Sequence, residues 1–178
     1  MGGSMEKRHI VLTGPRGSGK SSLIAEMIRE TEVPVYGFIT DCLSADQGGF
    51  HPIYIHPAGE EKREYEERNR IGSCDTRIHN IRSEIFDTVG TELIRSAEPG
   101  GILVMDELGF MEEQSVRFMR AVEDALDSEI PVLAACKSRE DIPFLCRIRA
   151  HPAVRLLSPN PGNWEDIRTE IRAWLPHR

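Results

Sequence analysis

The chain has no surplus of basic residues: 22 lysines and arginines stand against 29 aspartates and glutamates, for a net charge of −7. That balance argues against a nucleic-acid partner or an anionic membrane surface. No apolar run approaches the roughly 20 residues needed to span a bilayer, and no signal peptide is read before the first apolar segment, so a cytoplasmic protein without membrane attachment is expected. Cys42, Cys74, Cys136 and Cys146 form no C-x-x-C pair, which argues against zinc and against a disulfide framework and leaves free thiols as the expectation. No repeat, low-complexity stretch or linker divides the 178 residues, which read as one domain over 1–178, large enough for a sheet covered on both faces. Met1-Gly2-Gly3-Ser4 before Met5 reads as an expression remnant, and Glu6 breaks the myristoylation pattern that Gly2 would begin. No feature names a protein partner.

What is present is concentrated in one stretch: Gly14, Pro15, Arg16, Gly17, Ser18, Gly19, Lys20, Ser21 and Ser22. The first eight match the phosphate-binding pattern G-x-x-x-x-G-K-[ST] at every fixed position, after the apolar run His9-Ile10-Val11-Leu12 and before a helical pattern. Glycines let the backbone turn several amide hydrogens toward one anion, and the helix that follows points its positive end to the same place. Lys20 would add a full charge at the β- and γ-phosphates, and Ser21 a hydroxyl to Mg²⁺. The bland alternative is a glycine-rich turn that binds nothing.

The remaining pattern alternates strands with helices. Strands are expected at 8–13, 35–40, 50–55, 102–105, 131–135 and 154–157, and helices at 20–31, 80–97, 114–127 and 164–175, with a short helix starting near Ile142. Asn163 is the expected N-cap of the last helix. The second and third strands suggest a hairpin, with Pro52 putting the third at an edge or bulge. The stripe of the 80–97 helix is Ile81, Ile85, Phe86, Val89, Leu93, Ile94 and Ala97; that of the 114–127 helix is Val116, Met119, Val122 and Leu126. Residues 60–70 carry mixed charge with almost no apolar residues, and read as a solvated loop. The fold class is α/β: a three-layer, mostly parallel sheet with helices on both faces and a β-hairpin insertion.

Ligands of such sheets bind beyond the carboxyl ends of the strands. Ile102-Leu103-Val104-Met105 runs into Asp106-Glu107 at such an end. Four apolar residues and an Asp fit the second metal-associated motif of a phosphate-loop protein, with Asp106 and Ser21 holding Mg²⁺. A carboxylate one residue further, Glu107, can orient or deprotonate an attacking water, which favours hydrolysis over transfer to an acceptor. Adjacent Asp and Glu are frequent where an extra strand separates the two motif strands. Glu112 and Glu113 suit the dipole of the helix behind them. Arg16, Arg139, Arg147 and Arg149 are the candidates for stabilising charge on the transferring phosphate. His51 and His56 read as structural.

In the order of these features the chain resembles the small nucleoside-triphosphatases known as cancer-related nucleoside-triphosphatase, with homologues in thermophilic bacteria and archaea. The resemblance runs through Gly14 to Ser21, Gly37-Phe38-Ile39-Thr40, Gly49-Phe50, and Val104 to Glu112, which is similar to the family's Asp-Glu-Ile-Gly-x-Met-Glu stretch. Gln47 and Asn160-Pro161 stand where the family tends to carry arginines. The resemblance implies slow Mg²⁺-dependent hydrolysis of several nucleoside triphosphates to diphosphates; ATP or GTP is the expected substrate, with Lys20 and Glu107 the catalytic residues on the motif reading above. A small-acceptor kinase and a nucleotide-dependent switch module remain as alternatives.

Overall fold

The computed structural model describes residues 6–109 and 114–177. Phe110, Met111, Glu112 and Glu113 lie outside them, as do residues 1–4. In chain order the elements are β1 (His9–Leu12), α1 (Lys20–Glu30), β2 (Val35–Cys42), β3 (His51–Pro57), a 3₁₀ turn (Glu67–Asn69), β4 (Arg70–Cys74), β5 (Ile78–His79), α2 (Ser83–Ile85), a π turn (Phe86–Gly90), α3 (Thr91–Arg95), β6 (Ile102–Leu108), α4 (Val116–Asp127), β7 (Val132–Cys136), α5 (Pro143–Arg149), β8 (Val154–Leu157) and α6 (Trp164–Trp174). No helix among the described residues is long and apolar enough to cross a membrane.

All eight strands join one sheet in the order β5-β4-β3-β2-β6-β7-β1-β8. β2, β6, β7, β1 and β8 run parallel, whereas β3, β4 and β5 extend the sheet antiparallel beyond β2. β7 therefore lies between β1 and β6, an arrangement in which adjacent Asp and Glu are frequent, although the sequence by itself left the strand order open.

The parallel strands read as continuous apolar runs because both faces are covered. Alternate residues divide between two cores. Ile10, Leu12, Ile102, Val104, Leu133 and Ala135 pack with Leu23, Ile24 and Met27 of α1 and with Ile167 and Ile171 of α6. Val11, Leu103, Met105, Val132 and Ala134 face the other way, onto Ile85, Phe86, Ile94, Phe118, Val122, Leu145 and Ile148. Gly37 (φ 90°) pairs with Val104, and a Cβ there would run into the Val104 carbonyl oxygen, so glycine lets β2 lie close on β6.

Several expectations need correction. The hairpin is present, but it continues into β4 and β5, which were not anticipated. β3 is therefore an internal strand rather than an edge. Its register shifts at Ile53/Tyr54, one residue past Pro52. Pro52 sits just beyond the last β2–β3 pair, Cys42 with Ile53, and the Leu43 carbonyl is bonded instead by Nδ1 of His51 at 2.9 Å. The helix expected from residue 80 starts at Ser83 and is broken by the π turn, leaving Ile81 42% exposed. In α4 the apolar face is turned: Val116 is 64% exposed, while Phe118 is buried between Phe38 and Phe86 at ring-centroid distances of 5.5 and 5.2 Å. Asn163 stands at the N-cap position of α6, but its side chain binds Asn160 N and Ser158 O rather than the helix.

The two α4 positions make a paired test. Phe118→Ala should lower unfolding stability by about 3–5 kcal/mol, and Val116→Ala should stay within about 0.5 kcal/mol, both read from urea denaturation curves.

Candidate functional site

β1 delivers the chain into the Gly14–Ser21 loop, and Gly19 (φ 93°) forms the N-cap of α1. A side chain at Gly19 would be strained, and its Cβ would lie 2.6 Å from Nε1 of Trp164, so α6 buttresses the loop only because glycine is there. No side chain caps the start of α1. Its first-turn amides are thus left for an anion, which also meets the positive end of the helix.

Lys20, 6% exposed, donates from Nζ to the carbonyl oxygens of Gly14 and Pro15 at 3.0 Å each and to Ser18 Oγ at 3.4 Å. Ser21 Oγ donates to Asp106 Oδ1 at 3.0 Å. The sheet order thereby brings together residues 85 positions apart, from the start of α1 and the end of β6. Thr40 Oγ1 on β2 donates to the Asp106 carbonyl at 3.2 Å and ties the third neighbouring element to the same point. The peptide joining Asp106 to Glu107 is cis. Burial pushes the Asp106 carboxyl up to about 6 against the opposing pull of the Ser21 hydroxyl, with the Glu107 charge adding to the rise.

Glu107 Oε2 is 3.9 Å from Lys20 Nζ, and Oε1 is 3.9 Å from Lys137 Nζ. At that length neither contact is a hydrogen bond, and the carboxylate is held between two positive charges. Lys137, one residue past the end of β7, was not singled out in the sequence. Its signal was available: it follows an apolar run at a carboxyl strand end, on the strand that separates β1 from β6.

These groups open into one cleft of about 1000 Å³. The phosphate loop and Ser22 line one side, Asp106, Glu107 and Lys137 the floor, and Cys42 with Cys74–Ile78 the far wall. Of the four candidate arginines, Arg16 and Arg139 line the cleft. Arg139 also pairs with Asp141. Arg147 is paired with Glu123, and Arg149 binds the carbonyls of Lys137 and Arg139; neither is among the lining residues. Arg77, in the unanticipated β4–β5 turn, is. His51 and His56 stay structural, the latter buried with Nε2 2.8 Å from Asp41 Oδ1. Arg68 and Arg70, at the end of the charged 60–70 run, pair with local glutamates and are not among the lining residues. All four cysteines are free.

The geometry can grip a polyphosphate with amides and Lys20, offer hard oxygen ligands beside it, and set a carboxylate next to the gripped group. Comparison with known proteins points the same way. A family model described as NTPase matches residues 9–172. Nucleoside-triphosphatase THEP1 of Methanocaldococcus jannaschii is 33% identical over 133 residues, covering 70% of this chain and 75% of that protein. THEP1 of Thermotoga maritima is 28% identical over 173 residues, 93% and 94% of the two chains. Human cancer-related nucleoside-triphosphatase is 29% identical over 143 residues, 68% and 70%. The crystal structure of THEP1 from Aquifex aeolicus superposes with a TM-score of 0.76 over 95% of this chain and 99% of that one, at 20% identity, a likeness of fold.

The raised Asp106 carboxyl makes stability pH-dependent in chelator-treated, nucleotide-free protein. Below about pH 4 the group is protonated folded and unfolded, at no cost; between about 4 and 6 the unfolded chain ionises first and stability falls as pH rises. Above 6 the full cost, of the order of 2–3 kcal/mol, is present. Asp106→Asn should therefore be the more stable protein at pH 8, by up to that amount, and the gap should close at pH 4 in denaturation curves.

Proposed function

The chain belongs to the NTPase family whose model covers residues 9–172, and on that premise we propose that it hydrolyses nucleoside triphosphates such as ATP and GTP to the diphosphate and phosphate, with Mg²⁺ and with water as the acceptor. The observation that carries this reading is Glu107, one residue past Asp106 on the cleft floor, with Lys20 and Lys137 each 3.9 Å from its carboxylate. The names of the curated relatives, nucleoside-triphosphatases, support it.

In this reading the chain forms one domain, with residues 14–22 as the nucleotide-binding loop. Backbone amides of the 14–22 loop, Pro15 excepted, hold the β-phosphate. Lys20 leaves its loop carbonyls to bridge the β- and γ-phosphates. Glu107 orients the water on the far side of the γ-phosphate and accepts its proton. Lys137 and Lys20 set the direction of that carboxylate. Arg16, Arg77 and Arg139 are the cleft arginines from which charge stabilisation of the transferring group would come.

Ser21 and Asp106 fit a magnesium ion. Both offer hard oxygen donors, 3.0 Å apart, and a buried carboxyl pushed up to about 6 is one that a cation relieves. Among the described residues no three His, Cys, Asp or Glu side chains are grouped for a metal. That suits an ion keeping water and phosphate as most of its ligands. Mg²⁺ bound there would neutralise charge on the β- and γ-phosphate oxygens.

Phosphate release from Mg²⁺-ATP without an added acceptor tests the reading. Steady release is expected from the parent. Glu107→Gln should lose about 10²–10⁴-fold in turnover while still binding nucleotide, and Lys20→Ala should lose both turnover and binding. Release that begins only when an acceptor is supplied would make the protein a kinase, and tight binding without release would make it a switch.

A further inference from the structure

Cys42 ends β2 and Cys74 ends β4, with β3 between those strands in the sheet, yet the two sulfurs lie 3.4 Å apart across the start of β3. The Cys42 thiol also points at the carbonyl of His51, the residue paired with Cys74 in the β3–β4 ladder, at 3.9 Å. Neither thiol is in the core, and both line the cleft facing the phosphate loop, whose Arg16 is near enough to act on Cys42 electrostatically. The other two cysteines differ: Cys136 is buried on β7, and the Cys146 thiol is directed at the carbonyls of Arg139 and Glu140.

We propose that Cys42 and Cys74 are a peroxide-sensitive dithiol whose oxidation to a disulfide weakens nucleotide binding in the cleft. The weakening rests on the nucleotide reading above; formation of the disulfide does not. Burial, and then the hydrogen bond and charge of Cys74, push the Cys42 thiol up to about 11, and the two sulfurs 3.4 Å apart are placed to react in turn. One sulfur of the pair takes one oxygen from a hydroperoxide: an S–O bond forms, the O–O bond breaks, and water or an alcohol leaves. The other sulfur then displaces that oxygen, forming S–S and breaking S–O, with its proton leaving in a second water. Two thiols are oxidised by two electrons in all, and one peroxide is reduced.

The consequence follows from what is attached to Cys74. The next residues, Asp75 to Arg77, form a tight turn braced by Asp75 N to Arg77 O at 3.0 Å and Arg77 N to Asp75 Oδ1 at 2.7 Å. A disulfide of about 2.05 Å draws the sulfurs together and moves this turn, as a unit, relative to the loop across the cleft. A linkage of this kind is reciprocal, so bound nucleotide should oppose oxidation by the same factor.

The test uses the full chain, reduced and then treated with hydrogen peroxide, with and without Mg²⁺-ATP. Peptide mapping by mass spectrometry should find Cys42 joined to Cys74, in lower yield when nucleotide is present. The Kd for a fluorescent ATP analogue should rise at least about 5-fold and return on adding dithiothreitol. Cys146→Ser should respond as the parent does, and the affinity of Cys42→Ser should be indifferent to peroxide. Absence of the 42–74 peptide overturns the proposal, as does the peptide forming with affinity unchanged. If the reduced protein binds no analogue at all, the hydrolase reading fails and the effect on affinity falls with it, while the linked peptide still reports on the thiol pair.

Discussion

The hydrogen bond from Ser21 Oγ to Asp106 Oδ1 at 3.0 Å is the point on which the cleft depends. It joins the first turn of α1, which follows β1, to the end of β6, although β7 runs between β1 and β6 in the sheet. Any slip in the order or register of those three strands would part the hydroxyl from the carboxylate. The buried alternation of Ile10 and Leu12, Ile102 and Val104, Leu133 and Ala135 opposes such a slip, since a one-residue shift would send each apolar side chain to the other core. Thr40, from β2, fixes the Asp106 backbone from the opposite side.

Around that bond the charges are arranged against the trend of the whole molecule. The chain carries a net −7, yet the cleft sets five basic side chains, Lys20, Lys137, Arg16, Arg77 and Arg139, against three acidic ones, Asp75, Asp106 and Glu107. A net negative charge is therefore no bar to holding a polyanion, because the field that matters is local. The cost is visible at Asp106, whose burial raises its carboxyl to about 6. Asp106 and Glu107, neighbours in sequence, meet different surroundings: Asp106 lies beside a hydroxyl and is almost closed to solvent, while Glu107 is more open and flanked by two ammonium groups. In the proposed reading that difference suits Asp106 to a metal and Glu107 to water.

The antiparallel extension gives the cleft its far wall. Arg70-Ile71-Gly72-Ser73-Cys74 has one large apolar residue and follows a charged run, so it carries no strand period, yet Ile71 is fully buried once β3 is beside it. Ile81 and Val116 misled for a related reason: each fits a helical stripe, but the helices begin at Ser83 and Val116 itself, so neither residue reaches the core. Phe118 was overlooked because its partners, Phe38, Phe86 and the bare Cα of Gly90, come from β2 and the π turn. These are contacts between distant segments, and periodicity records only what a segment does to itself.

The division follows from how far each signal reaches along the chain. The phosphate loop, the strand and helix that flank it, the run ending in Asp106-Glu107 and the alternation that makes an α/β sheet were settled by residues a few positions apart, because turn geometry, amide direction and burial period are local. The family resemblance added the expected reaction on the same local motifs. Tertiary structure alone decided what faces the loop: Lys137 beside Glu107, Arg77 in place of Arg147 and Arg149, and two cysteines 32 residues apart brought to 3.4 Å. Those neighbours are set by strand order, and strand order is fixed by packing the whole sheet at once.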